Sequence, residues 1–184
     1  MGYGLNLYGS HISSYINAEK NVTNRYNLGP NTNFSYDIDD KLNTSIYLGV
    51  QYSRVSNTLP SAIDNKFFSF NNNASVSWEF VKNMRINAEL QHNGTAGRAD
   101  GFNNNVFLLN AGLEQYMMKR RITLSLRGFD ILNQNTNIDR IINGSRTEDL
   151  RFNTINRYFY MSLNYKISKA GATNTRSNPR NTVG

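Results

Sequence analysis

Apolar and polar side chains alternate in two runs within residues 67–90, and a turn of about three residues around Lys82 separates the runs. Such a period of two places successive side chains on opposite faces of a β-strand. If Phe80 pairs with Met84, Trp78 lies opposite Ile86 and each face of the hairpin stays chemically uniform. A shift of one residue would mix the faces, so the pattern predicts both a hairpin and its register.

These strands are long, and their polar face is mostly Asn and Ser. Each run covers about 12 to 15 residues, against roughly five or six in a globular strand and the ~9 to 11 that cross a bilayer. A soluble β-sandwich also has one apolar and one polar face. Strand length and a polar face with few charges favour a transmembrane β-barrel over the sandwich.

The same alternation continues along most of the chain. We predict an all-β fold, an antiparallel meander of about eight long strands that is part of a transmembrane β-barrel. Residues 1–167 form this barrel segment, with an interruption at Gly29-Pro30 interpreted as a bulge and a last strand at 153–167. Residues 168–184 are polar and are expected to be disordered or loosely docked.

Short and long connections also alternate. Tight turns are predicted near 39–41, 81–83 and 119–120, and long loops near 56–65, 92–105 and 134–152. Outer-membrane barrels have short periplasmic turns and long extracellular loops, so odd strands are expected to run outward and the last strand to end in the periplasm.

Composition excludes several function classes. The net charge of +7 is spread through turns, loops and tail without an aromatic-basic motif, so no nucleic-acid partner is expected. The chain has no Cys, and His11 and His92 are placed in or beside loops without metal-ligand spacing. No nucleophile motif or phosphate loop is present, and we expect neither an enzyme nor a cofactor or metal site.

Two sets of residues follow from the alternation. One is polar and is expected to face the lumen, where its charges could form a ladder that is structural more often than substrate-binding. The other is apolar and is expected to face lipid. The candidate lumen-facing residues are Glu79, Arg85, Glu89, Glu114 and Arg127. The candidate lipid-facing residues are Leu48, Val76, Trp78, Leu109, Leu124 and Met161.

Two phrases near the end of the chain carry a family resemblance. One runs from Arg127 through Asp130-Ile131-Leu132-Asn133-Gln134-Asn135, and the other runs from Asn153 through Arg157-Tyr158-Phe159 into an alternating strand. Together they resemble the terminal two strands of the TonB-dependent receptor-like outer-membrane β-barrel family common in Bacteroidota. A looser similarity extends over the whole chain.

The resemblance implies a location in the bacterial outer membrane and a barrel of about 22 strands closed by a plug. Alternation begins at Tyr3, and no secretory leader precedes it. We therefore expect the chain to be a C-terminal part of such a barrel. The implied partners are outer-membrane lipid, the remaining strands and plug, and the TonB system, and the implied function is uptake of a nutrient or other ligand.

A self-contained eight-stranded barrel that serves as a structural or adhesive anchor is the alternative. Such a barrel is just wide enough for side chains to fill it, whereas columns of Asn, Ser and Gly suit a wider lumen. Pairing between the first and last strands would distinguish the two.

The alternation also makes a spectroscopic prediction. Circular dichroism of the folded chain should show β-structure with almost no helix, and a substantial helical fraction would contradict the assignment.

Overall fold

The computed structural model describes residues 1–62, 64–98, 103–135, 138–143, 146–151 and 155–167. These residues form strands and connections, and none of them belongs to a helix long and apolar enough to cross a bilayer. The predicted polar tail at 168–184 lies outside the described residues.

Ten strands are present in the described part of the chain. The first six are long, with 13 to 20 residues each. The strands are β1 (Gly2–Ile16), β2 (Glu19–Ile38), β3 (Leu42–Asn57), β4 (Asn65–Val81), β5 (Met84–Ala96), β6 (Asn104–Met117), β7 (Ile122–Phe129), β8 (Ile138–Asn143), β9 (Arg146–Arg151) and β10 (Tyr158–Tyr165).

Eight of these strands form one antiparallel sheet in the order β1-β2-β3-β4-β5-β6-β7-β10. The predicted all-β meander of about eight strands is therefore confirmed. Within the described residues β1 pairs only with β2 and β10 only with β7, so the sheet is open and its first and last strands each keep one unpaired edge.

The registers sort the side chains into an apolar face and a polar face. Trp78 pairs with Ile86 and Val76 with Ala88, as the sequence predicts, and Leu109 pairs with Leu90. The same parity carries through every pair of neighbouring strands in the sheet. All six candidate lipid-facing residues lie on this apolar face.

The sheet has no core of its own. Among the described residues Ala62, at 7% exposure, is the one buried hydrophobic side chain, and it lies in a loop. Large side chains on the apolar face are open instead, with Trp78 at 49% and Met161 at 72% exposure. A face of this kind needs an apolar environment outside the chain.

Three details of the strand assignment were wrong. The register shifts between Trp78 and Val81, so Val81 rather than Phe80 pairs with Met84. Gly29 and Pro30 cause no bulge, because the β2–β3 register is the same on both sides of them and both still pair with β1. The last strand begins at Tyr158 rather than at 153.

The strands also extend beyond the apolar alternation, which shortens the predicted loops at 56–65 and 92–105 to connections at 58–64 and 97–103. Polar side chains stabilise these extensions. Asn21 is buried, its Nδ2 donates to Asn57 Oδ1 at 3.1 Å, and its Oδ1 accepts the Leu59 N–H at 3.2 Å. Such contacts between polar side chains cannot be predicted from the hydrophobic period of two.

The connections follow the predicted alternation with two differences. The long connection after β7 contains the β8–β9 hairpin, where the sequence analysis predicts a long loop. The β1–β2 connection lies at the long-loop end but is a two-residue turn, with positive φ at Asn17 and Ala18. Positive φ at both central residues is typical of a type I′ hairpin turn.

Replacing Val76 by Arg tests the assignment of the apolar face. A cation facing lipid costs roughly 2 to 4 kcal/mol near the bilayer midplane and less toward the interfaces, so we expect a loss of about 2 kcal/mol in a membrane-folding titration. Ser77→Arg is the matched control, because Ser77 is the next residue on the opposite face of β4. Equal losses at both positions would contradict the assignment.

Candidate functional site on the polar face

Carboxylates and guanidinium groups meet on the polar face at the tight-turn end of the sheet. Arg120 Nη2 lies 2.7 Å and Arg85 Nη2 3.6 Å from Glu79 Oε2. The other oxygen of Glu79 accepts the Asn83 backbone N–H at 3.1 Å, which ties the network to the β4–β5 turn. The turn and the strand ends therefore fix this carboxylate in place.

A second carboxylate, Glu114, lies on β6, which is separated from β4 by β5. Glu114 Oε1 accepts from Arg127 Nη2 at 2.7 Å, and Glu114 Oε2 accepts from the Tyr116 hydroxyl at 2.7 Å. The Tyr116 ring lies 5.8 Å from the Arg85 guanidinium and 5.1 Å from that of Arg120, within the range of cation–π attraction. Tyr116 thus links the two ion-pair clusters.

Four of the five candidate lumen-facing residues therefore belong to one network: Glu79, Arg85, Glu114 and Arg127. Glu89 lies on the same face but accepts instead from the amides of Asn73, at 3.0 Å, and Gln91, at 2.9 Å. That this face lines a lumen stays a prediction, as does lipid contact for the six apolar candidates.

Sequence reasoning missed Arg120 and Tyr116. Tyr116 lies two residues from Glu114 on one strand, so the period of two already places both on one face. Arg120 lies in a turn with positive φ, where alternation gives no direction for a side chain. Only the fold of the turn brings it to Glu79.

A groove of about 390 Å³ runs along the polar face beside this network. Arg85, Glu89, Glu114, Arg127 and Phe129 are among the residues that line it. Its wall therefore carries both hydrogen-bond donors and acceptors. Such a surface can bind a polar ligand or a polar protein segment.

Phe129, which lines the groove, belongs to a stack of three aromatic rings. Phe129 stacks on Tyr158 at 4.8 Å between ring centroids and on Tyr160 at 5.8 Å, with nearly parallel planes in both pairs. All three rings lie on the polar face, because Phe129 pairs with Tyr158 and Arg127 with Tyr160 across β7 and β10. None of the three is among the candidate site residues predicted from the sequence.

The segment from Asp130 to Asn135 forms a turn at the end of β7, and the Asp130 side chain caps it. Asp130 is buried, and its two carboxylate oxygens accept the backbone N–H groups of Gln134, at 3.0 Å, and Asn135, at 3.1 Å. Gln134 Oε1 in turn accepts the Phe107 N–H at 3.0 Å. These contacts hold the turn at the point where β7 stops pairing with β6.

Gly128, in the same segment, makes room for an aromatic ring. A Cβ at this position would lie 2.7 Å from Cε1 of Phe159, its partner on β10. The ring therefore covers the glycine on the apolar face, as aromatic side chains often do with glycines in sheets.

The histidines differ from their predicted placement. Both lie within strands rather than loops, and His92 stacks on Phe107 at 4.3 Å with its ring nitrogens hydrogen-bonded to Asn72 and Asn105. His11 is hydrogen-bonded to Asn24 at 2.7 Å. Among the described residues no group of three or more His, Asp or Glu side chains is placed to hold a metal ion.

Comparison with known proteins agrees with this architecture. A family model described as the outer membrane protein beta-barrel family matches residues 10–165. Searches of curated proteins and of solved structures found no match to the chain.

A double-mutant cycle tests the link between Glu114 and Arg127. With Glu114→Gln, Arg127→Gln and the double variant, we expect a coupling free energy of about 0.5 to 1 kcal/mol, because the Arg side chain is partly exposed and solvent screens the pair. Denaturant unfolding in detergent measures it. A coupling free energy of zero would show that this ion pair does not stabilise the folded chain.

Removing the Asp130 carboxylate tests the capped turn. Asp130→Ala leaves two backbone N–H groups without their acceptor, so we expect a loss of about 2 to 3 kcal/mol in unfolding free energy. Asp37→Ala, at an exposed position on β2, is the control and should change stability by less than ~0.5 kcal/mol. Similar losses for both variants would show that the cap contributes nothing specific.

Proposed function

The chain belongs to the outer membrane protein β-barrel family, which places it in the bacterial outer membrane, and from that premise we propose that it forms part of the wall of a wide barrel through which a ligand is taken up. In this proposal the apolar face contacts lipid and the polar face lines a lumen that holds a plug. The TonB system supplies energy through the complete barrel, and no catalytic step is assigned.

The size of the side chains on the polar face supports a wide lumen. Between the charged network and the long-loop end this face carries mainly Asn, Ser and Gly, for example Ser45, Gly49, Asn71, Asn73 and Ser75. A closed eight-stranded barrel is just wide enough for its side chains to fill it, and these small residues would leave polar space unfilled.

The open edges of the sheet support the same proposal. Inside a bilayer each unpaired backbone N–H or C=O costs several kcal/mol, so spanning strands require a partner on both sides. The free edges of β1 and β10 can be satisfied by further strands or by each other. The proposal assigns them to further strands.

The groove wall gives the ligand or plug its contacts. Arg127 and Glu114 offer a cation and an anion side by side, and Phe129 with its two tyrosines offers an aromatic surface. A polar ligand with an apolar face, or a plug segment carrying both charges, fits this wall.

A distance measurement tests the proposal. Spin labels at Leu7 on β1 and Leu163 on β10 both lie on the apolar face, and pulsed dipolar spectroscopy in the native membrane reports their separation. Labels at Leu7 and Leu28, which pair directly across β1 and β2, provide the internal standard.

The two architectures give different results. A wide barrel predicts a separation several-fold longer than the standard, because other strands lie between β1 and β10. A self-contained eight-stranded barrel places these strands about 5 Å apart and gives a distance close to the standard. That result would favour the anchor function.

Energised uptake is tested separately. Cells that carry the complete barrel should lose ligand uptake when the TonB system is inactivated and keep the barrel in the membrane. Unchanged uptake would remove the TonB part of the proposal while leaving the wide lumen intact.

A further inference from the structure

Four cations from three separate parts of the chain lie at the tight-turn end of the sheet. They occupy the β4–β5 turn, the β6–β7 turn and the end of β10. Backbone hydrogen bonds join these places: Tyr116 N donates to Asn83 O at 2.8 Å, and Lys166 N donates to Arg121 O at 2.8 Å. We name the four residues the cationic rim: Lys82, Lys119, Arg121 and Lys166.

The charges of the rim are available for a partner. All four side chains are exposed, and no carboxylate among the described residues lies within ion-pair distance of them. Glu79, the nearest acid along β4, is already engaged by Arg120 and Arg85. The rim therefore presents four positive charges without internal compensation.

Exposed apolar side chains alternate with these cations. Met118 is 69% exposed beside Lys119, and Ile167 is 81% exposed beside Lys166. Val81, beside Lys82, is also open. Tyr165 pairs with Ile122 on the apolar face, so this face extends as far as the rim.

Exposed cations next to exposed apolar side chains are typical of a membrane interface. Lys and Arg bury their aliphatic stems along apolar surface and extend their charges to the headgroups. A charged surface without apolar neighbours would suit a soluble acidic partner equally well, but the open Met, Ile and Val side chains would then remain in water. In the barrel proposed above, the rim lies at the membrane boundary, because the spanning strands end there.

We propose that the cationic rim binds the headgroups of anionic phospholipids and holds this edge of the sheet at the membrane surface. The β2–β3 turn lies at the same end of the sheet but has no excess of positive charge, because it carries Asp39 and Asp40 beside Lys41. The lipid contact is therefore expected on the β4 to β10 side only.

Lipid selectivity of the full chain in bilayers tests the proposal. Spin-labelled phosphatidylglycerol and spin-labelled phosphatidylcholine are compared by electron paramagnetic resonance in vesicles of phosphatidylcholine. Each Lys or Arg at an anionic surface strengthens association roughly fivefold, so we expect at least a fivefold preference for phosphatidylglycerol. High salt should reduce this preference, because screening weakens it.

Substitutions locate the effect. Changing all four rim cations to Gln should abolish the preference, and Lys119→Gln with Arg121→Gln should remove part of it. The matched control is Lys20→Gln with Arg25→Gln, which changes the net charge by the same amount at exposed positions toward the long-loop end of β2. This variant should leave the lipid preference unchanged. Circular dichroism checks that each variant is folded.

Two outcomes would overturn the proposal. One is equal association of the two lipids with the unaltered protein. The other is a preference that persists in the folded fourfold variant or falls equally in the control. If the fourfold variant does not fold, the salt titration of the unaltered protein and the two double variants decide the question. Capture of an acidic periplasmic protein without lipid preference would assign the rim to a protein partner instead.

Discussion

The ladder of backbone hydrogen bonds between antiparallel strands is the interaction on which the rest of this structure depends. The described part of the sheet buries almost no apolar side chain, and Ala62 in a loop is the exception. Side-chain packing therefore cannot define the fold as it does in a soluble domain. The ladder defines the fold instead. In lipid, breaking a backbone hydrogen bond costs much free energy, because an unpaired backbone group has no water to bind.

The chemistry of the two faces follows from that ladder. Once the register is set, alternate side chains point into two different environments, and each face can become uniform. Within the described residues no second layer of protein covers the apolar face, so we expect its stabilisation to come from the surroundings. The polar face instead forms internal contacts, such as the hydrogen bond from Asn73 to Glu89 and the ion pairs of Glu79 and Glu114.

The sequence predicts those parts of the fold that depend on a period of two. The pairing of Trp78 with Ile86 and the common face of Glu79, Arg85, Glu114 and Arg127 follow from alternation alone. The extensions of the strands do not, since both faces are polar there and contacts of Asn21 and Asn57 hold them. Arg120 could not be placed either, because its direction depends on the positive φ values of its turn.

The segment that carries the family resemblance has a physical explanation, although the sequence alone did not give it. Asp130 accepts two backbone N–H groups, and Gly128 leaves space for the ring of Phe159. Arg127 pairs with Glu114. The contacts of Asp130 and Gly128 therefore reflect what is needed to end β7 and begin the return to β10.

The central claim is that one face of the sheet contacts lipid and the other contacts water. Single-cysteine labelling along β4, from Asn71 to Trp78, tests it most directly in membranes that contain the protein. A water-soluble maleimide should label Asn71, Asn73, Ser75 and Ser77 positions and leave Ala74, Val76 and Trp78 positions unlabelled. Labelling without a period of two, or with the opposite phase, would contradict the account.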